Sequence, residues 1–145
     1  MFCGTGLYLR AAIAELSLVK APPEAEDSEL WSPATRHPTT IFGLDMDRAA
    51  LYERIDRRTE GIARSGAVEE VLAAERAGPS RTARKALGFD ELLGGDLEQM
   101  KKRSRNYARR QLTWMRKIPN VRRIDRTALT DAEVAQRMLG AAPGE

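Results

Sequence analysis

A single cysteine, Cys3, and a single histidine, His37, occur among the 145 residues. One cysteine excludes an intramolecular disulfide and any multi-cysteine metal site, and one histidine adds nothing toward a metal centre. Aromatic residues are only 6% of the chain. No apolar run approaches the ~20 residues that span a bilayer, so no transmembrane helix is expected. The opening Met1-Phe2-Cys3-Gly4-Thr5-Gly6 has no basic stretch ahead of an apolar one and does not read as a signal peptide. Also missing are a Gly-x-x-x-x-Gly-Lys-Ser/Thr phosphate loop, His-Glu-x-x-His and Gly-x-Ser-x-Gly, and nothing supplies an obvious nucleophile. A cytoplasmic chain is expected.

What is present is a folded composition, 42% hydrophobic and 31% charged. That is too apolar for wholesale disorder and too charged for a membrane protein. The length suits one domain, 1–145. The net charge of +3 hides a lopsided distribution. Residues 81–126 hold fourteen Lys or Arg against five acids, a net of +9, which leaves −6 for everything else. Such asymmetry points to a polyanion, nucleic acid being the commonest, or to a solvated basic face without a partner.

Phe2-Cys3 reads as the end of a strand, and Gly4-Thr5-Gly6 as a turn into a helix carried by Leu7, Leu9, Ala11, Ile13, Ala14 and Leu16, with Thr5 as cap. Residues 17–38, with Pro22, Pro23, Pro33 and Pro38, read as a linker. Thr39–Leu44 reads as a short buried strand. A helix is expected from Arg48 to Ser65, capped by Asp45 or Asp47 and stopped by Gly66. Further helices are expected over 68–77, from Ser80 or Thr82 to Gly88, and over 90–93. The longest runs over 97–118 and stops at Pro119. Val121–Ile124 reads as a last strand and Thr130–Leu139 as a last helix capped by Thr130 or Asp131. The fold class is α/β, helix-rich, with two or three short strands. These strands have few obvious partners, which is read as a piece of a larger sheet.

Three features carry chemistry. The Gly4-Thr5-Gly6 turn offers backbone N–H groups and a helix dipole to an anion, or is only a tight strand-to-helix connection. On the helix from Arg48, Leu51, Ile55 and Ile62 form the core stripe, with Arg58 at its margin and Arg54 one turn earlier. Two guanidinium forks at i and i+4 suit a diphosphate. Alternatively both reach outward or pair with Asp56 or Glu60. On the helix over 97–118, Leu97, Met100, Ser104, Tyr107, Ala108, Gln111, Trp114, Met115 and Ile118 share a packed arc. The remaining arc carries Lys101, Lys102, Arg103, Arg105, Arg109, Arg110, Arg116 and Lys117, suited to a phosphate backbone. Tyr107 and Trp114 serve either as core or as stacking platforms. Glu69-Glu70 and Asp90-Glu91 read as ordinary surface charges.

Four segments, in order, resemble the bacterial tRNA dimethylallyltransferases (tRNA isopentenyl transferases). Gly4-Thr5-Gly6-Leu7-Tyr8 is similar to that family's Gly-Gly-Thr-x-Leu-Tyr, with Cys3 in place of the first Gly. Arg54-Ile55-Asp56-Arg57-Arg58, Gly66 and Glu69-Glu70-Val71 resemble its Arg-Ile-x-x-Arg … Gly … Glu-Val helix pair. Ala83–Leu92 resembles its Arg/Lys-x-Ile/Val-Gly-Tyr segment. Arg105–Arg116 resembles its Thr-Arg-x-Tyr-Ala-Lys-Arg-Gln-x-Thr-Trp-x-Arg signature, the most specific of the four.

The resemblance implies a partial P-loop-kinase-like fold and transfer of a dimethylallyl group from its diphosphate to N6 of adenosine 37 in tRNA. It implies Thr5 near the adenosine and diphosphate, and Arg54 and Arg58 on the diphosphate. It implies tRNA contacts by Lys85, Ala86, Leu87, Gly88, Phe89 and Asp90, and by Arg109, Arg110, Gln111, Leu112, Thr113, Trp114, Met115 and Arg116. The Gln111 amide suits a base edge. Mg²⁺ is the expected cofactor, tRNA and dimethylallyl diphosphate the expected partners, and a monomer without membrane contact the expected state. The family's phosphate loop and its general-base Asp would precede Gly4, and its helical insert would fall between Leu16 and Trp31, where Pro22-Pro23 stand. The expectation is therefore an N-terminally truncated, internally shortened member, either a transferase of little activity alone or a non-catalytic, basic RNA-binding fragment.

Overall fold

Ile41-Phe42-Gly43-Leu44-Asp45 is short and apolar, and it forms strand β1 (Ile41–Asp45). The computed structural model describes residues 33–141, together with Leu9 and residues 12–14. The strand expected to end at Cys3, the Gly4-Thr5-Gly6 turn and the stretch from 17 to 32 lie outside the described residues. Residues 33–40 have neither helix nor strand, so the strand expected over Thr39–Leu44 starts two residues later, at Ile41. The partner of β1 is strand β2 (Val121–Asp125), which lies parallel to it with Ile41 opposite Val121 and Asp45 opposite Asp125. Two of the strands that lacked obvious partners thus pair with each other. A parallel pair needs a long crossover, which residues 46–120 supply.

The chain divides into two compact units, one from residues 1–46 with 110–145 and one from residues 47–109. In the second, helix α1 (Arg48–Ile62) is capped by Asp47, whose carboxylate accepts from the N–H groups of Ala49 and Ala50. That decides between the two candidate caps, since Asp45 instead ends β1. The helix breaks in a wide turn over Ala63–Ala67, where Gly66 takes φ +92°, a conformation that favours glycine. Helix α2 (Val68–Arg76) follows, then α3 (Arg81–Arg84) with Ser80 as cap, α4 (Phe89–Leu93) and the start of α5 (Leu97–Lys117). Phe89, Leu92 and Met100 are the buried apolar residues of this unit.

The first unit holds β1, β2, the last two turns of α5 and helix α6 (Asp131–Ala141). The α5-to-β2 turn at Pro119-Asn120 places Asn120 at φ +57°, which asparagine tolerates better than most side chains. Thr130 and Glu133 cap α6 reciprocally: Glu133 accepts from the Thr130 N–H and hydroxyl, and Thr130 accepts from the Glu133 N–H. Ile118 and Val134 are buried here. Gly43 is buried because β1 runs close beneath α5. Among the described residues no helix is long and apolar enough to cross a membrane.

Candidate functional site

Within the second unit, Tyr52, Asp56 and Glu60 recur every four residues and so share one face of α1. That face meets Lys101 and Arg105 of α5, themselves four apart. Arg105 grips Asp56 with two prongs, Nε to Oδ1 at 2.9 Å and Nη2 to Oδ2 at 2.5 Å. Its guanidinium also lies 5.7 Å from the centroid of the Tyr52 ring. The Lys101 amine reaches Glu60 at 2.9 Å and Glu98 at 2.7 Å. These hydrogen bonds, Glu60 first, push the Lys101 pKa up to about 12, and Lys101 in turn lowers that of Glu60. The Asp56 hydrogen bond likewise raises that of Arg105. Since 52 to 60 ascends as 105 to 101 descends, the two helices run antiparallel.

This stripe corrects the sequence reading of α5. Lys101, Arg103 and Arg105 were placed on an open basic arc. Instead Lys101 is buried, and Arg103 and Arg105 are half-buried in ion pairs. Glu91, read as a surface charge, is only 6% exposed and accepts from Arg103. A helical wheel scores hydropathy on one helix and is blind to acids arriving from another. The signal that could have found the stripe is the matched four-residue spacing of Asp56 and Glu60 with Lys101 and Arg105.

Of the alternatives open for Arg54 and Arg58, the outward one holds: both are exposed, while Leu51, Ile55 and Ile62 are half-buried and Thr59 is the buried residue of α1. At about 100° per residue, the two arginines sit ~160° and ~200° from Asp56, on the far side of α1 from the salt-bridge stripe. The two acids that might have neutralised them are engaged elsewhere, Asp56 by Arg105 and Glu60 by Lys101. Arg57 pairs with Glu53 at 2.6 Å. Among the described residues, Arg54 and Arg58 have no carboxylate partner.

The segment from Lys85 to Asp90 divides in two. Lys85, Ala86, Leu87 and Asp90 are exposed, whereas Gly88 and Phe89 are buried. Gly88 has φ +100°, and a Cβ there would lie 2.7 Å from the Met100 methyl. Arg84, paired with Glu75, lies 6.0 Å from the Phe89 ring and steadies the turn.

The segment Arg109–Arg116 divides as well. Arg109, Arg110, Thr113 and Arg116 are exposed and Gln111, Leu112, Trp114 and Met115 half-buried. Gln111, Trp114 and Met115 line a pocket of about 190 Å³ against β1 and Val121. The Gln111 amide therefore borders the pocket rather than standing among the exposed cations. Thr5 lies outside the described residues. No three His, Cys, Asp or Glu side chains among the described residues converge as a metal site.

The sequence model of the family described as "IPP transferase" matches residues 20–118. The tRNA dimethylallyltransferase of Acetivibrio thermocellus is 35% identical over 121 residues, 76% of this chain and 39% of that protein. That of Shouchella clausii is 34% identical over 114 residues, covering 72% and 36%. The chain thus spans less than half the length of these curated relatives. A full-length tRNA isopentenylpyrophosphate transferase from Bacillus halodurans matches in structure with TM-score 0.67 at 27% identity, over 74% of this chain and 39% of that one. A tRNA delta(2)-isopentenylpyrophosphate transferase from Staphylococcus epidermidis gives 0.64 at 20% identity, over 94% and 55%, and shares the fold. The helix-rich α/β, P-loop-like architecture implied by the resemblance is borne out. With the match running from the Pro-rich segment to the end of α5, the chain belongs to the IPP transferase family.

Proposed function

We propose that the chain serves transfer of a dimethylallyl group from dimethylallyl diphosphate to N6 of adenosine 37 in tRNA. The observation carrying this reading is the outward arginine pair, Arg54 and Arg58, whose neighbouring acids are held by α5. In the reaction the N6 nitrogen bonds to the first carbon of the dimethylallyl group. The carbon–oxygen bond breaks, and diphosphate leaves with the electron pair while N6 loses a proton. Two guanidinium forks one turn apart stabilise the charge growing on the departing diphosphate. The exposed Arg109, Arg110 and Arg116 contact RNA phosphates, and Lys85 and the turn after it add a second contact. The proton transfer is assigned to no described side chain. The protein acts as a cytoplasmic monomer, which sedimentation velocity checks.

The test is product formation from dimethylallyl diphosphate and an anticodon stem-loop containing adenosine 37. Appearance of the prenylated nucleoside, lost in Arg54→Ala/Arg58→Ala, supports the reading. The exposed cations of α5 favour a second one, a non-catalytic RNA-binding chain. Salt-dependent RNA binding without product, even at high enzyme concentration, selects it. Absence of both rejects both.

A further inference from the structure

The diphosphate reading needs Arg54 and Arg58 to face the same way, and something must hold α1 in that rotation. Apolar packing does little of this, because Leu51, Ile55 and Ile62 are only half-buried. The one buried residue, Thr59, donates its hydroxyl to the Ile55 carbonyl of its own helix at 2.9 Å. The restraint falls to the polar stripe. Within it Lys101 is a compact ammonium that can follow Glu60 as the helix turns. Arg105 cannot follow so easily: its planar fork fixes two distances to Asp56 at once, at 2.9 and 2.5 Å. A rotation of about 20° at the side-chain surface of a helix, ~6 Å from its axis, displaces a group by ~2 Å. A misplacement of that size is enough to lose a guanidinium–phosphate hydrogen bond.

From this geometry we infer that Arg105 is a positioning residue: through Asp56 it fixes the rotation of α1 so that Arg54 and Arg58 stand as one diphosphate clamp. The inference rests on the diphosphate reading above. It assigns a task to a residue whose contacts are Asp56 and the Tyr52 ring.

The test titrates the full chain with inorganic pyrophosphate and, separately, with inorganic phosphate at constant ionic strength. A clamp of two arginines prefers pyrophosphate, so the ratio of the two affinities reports its alignment. Partial unfolding would weaken both anions alike and leave the ratio unchanged. Arg105→Lys keeps the charge but loses the fork, and Asp56→Asn loses the anion. Each is expected to lower the ratio about tenfold, equivalent to ~1.4 kcal/mol. Arg103→Lys, which loosens the ion pair to Glu91 on α4, is expected to leave it unchanged. An unaltered ratio in both Arg105→Lys and Asp56→Asn, with Arg54→Ala lowering it, overturns the positioning role alone. If Arg54→Ala and Arg58→Ala leave pyrophosphate affinity intact, the diphosphate reading itself is wrong and this inference falls with it. Should one variant fail to fold, the other decides.

Discussion

Replacing Gly43 by alanine adds one methyl group where β1 runs closest to α5. The new Cβ would lie 2.5 Å from Met115 Sδ and 2.7 Å from Val121 Cγ1, against 3.4–4 Å for an ordinary contact. The two neighbours differ in what they can yield. Met115 is unbranched and can swing its thioether aside. Val121 is β-branched, stiff about χ1, and sits on a strand held in register with β1. Roughly 1 Å of overlap with Val121 must therefore be absorbed by separating strand from helix or by distorting the strand pair. Overpacking of this kind costs about 1–3 kcal/mol. Since ~1 kcal/mol moves Tm by ~4 °C in a chain of this size, Gly43→Ala should melt some 4–12 °C lower. Thermal unfolding followed by far-ultraviolet circular dichroism measures it. Gly61→Ala supplies the contrast, because a Cβ there, in the last turn of α1, meets nothing within 4 Å. The same chemical change should stabilise there by about 0.5–1 kcal/mol. Adding Val121→Ala to Gly43→Ala should recover part of the loss. A Gly43→Ala protein as stable as the parent would refute the close approach of β1 to α5.

Three further outcomes are expected. Arg103→Met strips Glu91, 6% exposed, of its cation; breaking a buried pair this way costs about 3–5 kcal/mol, and Glu91→Gln in the same chain should restore much of it in urea titrations. The Glu60–Lys101 bond should stabilise the fold on a plateau bounded at both ends. Glu60, lowered from 4.5, loses its contribution as pH falls through its folded pKa. Lys101 loses its own as pH rises from 10.5 through about 12. Lys101→Met should flatten both limbs of a plot of urea midpoint against pH, and a plot unchanged from the parent's would exclude the bond. For RNA, Arg116→Ala should reduce the slope of log affinity against log salt by about one, whereas Arg48→Ala, outside the basic segment, should not; equal slopes would remove Arg116 from the interface.

Local signals predicted the elements well because each cap and stop acts through its immediate neighbours. Asp47, Ser80 and the Thr130–Glu133 pair start helices where capping chemistry says they should. Gly66, Gly78-Pro79 and Pro119 end or break them where backbone freedom or a lost donor requires. Partners across the fold were not legible. Nothing near residue 41 says that β1 lies beside Val121, and the hydropathy of α1 gives no sign that its polar face is half-buried. Arg58 therefore seemed to border the core, and Glu91 seemed free in solvent. Glu91 is inside because a counter-charge on a distant segment, Arg103, meets it there, which no local signal near residue 91 announces. The exposed half of the Arg109–Arg116 segment followed the helical period, and so did the pocket-lining Trp114 and Met115.

The pairing of β1 with β2 also bears on the order in which the chain acquires its structure. Their contact closes a loop over residues 46–120 that contains the whole of the second unit. Closing a flexible loop of that length costs of order 4 kcal/mol in chain entropy, and no ladder hydrogen bond can form until it is met. The second unit is continuous in sequence, and its longest ion pair, Arg105 to Asp56, spans fewer residues than the pairing of β1 with β2. If they form early, the loop that remains to be closed is shorter and stiffer, and the parallel strands meet with less entropy left to lose. Substitutions that destabilise α1 or α4 should then slow the pairing of the two strands.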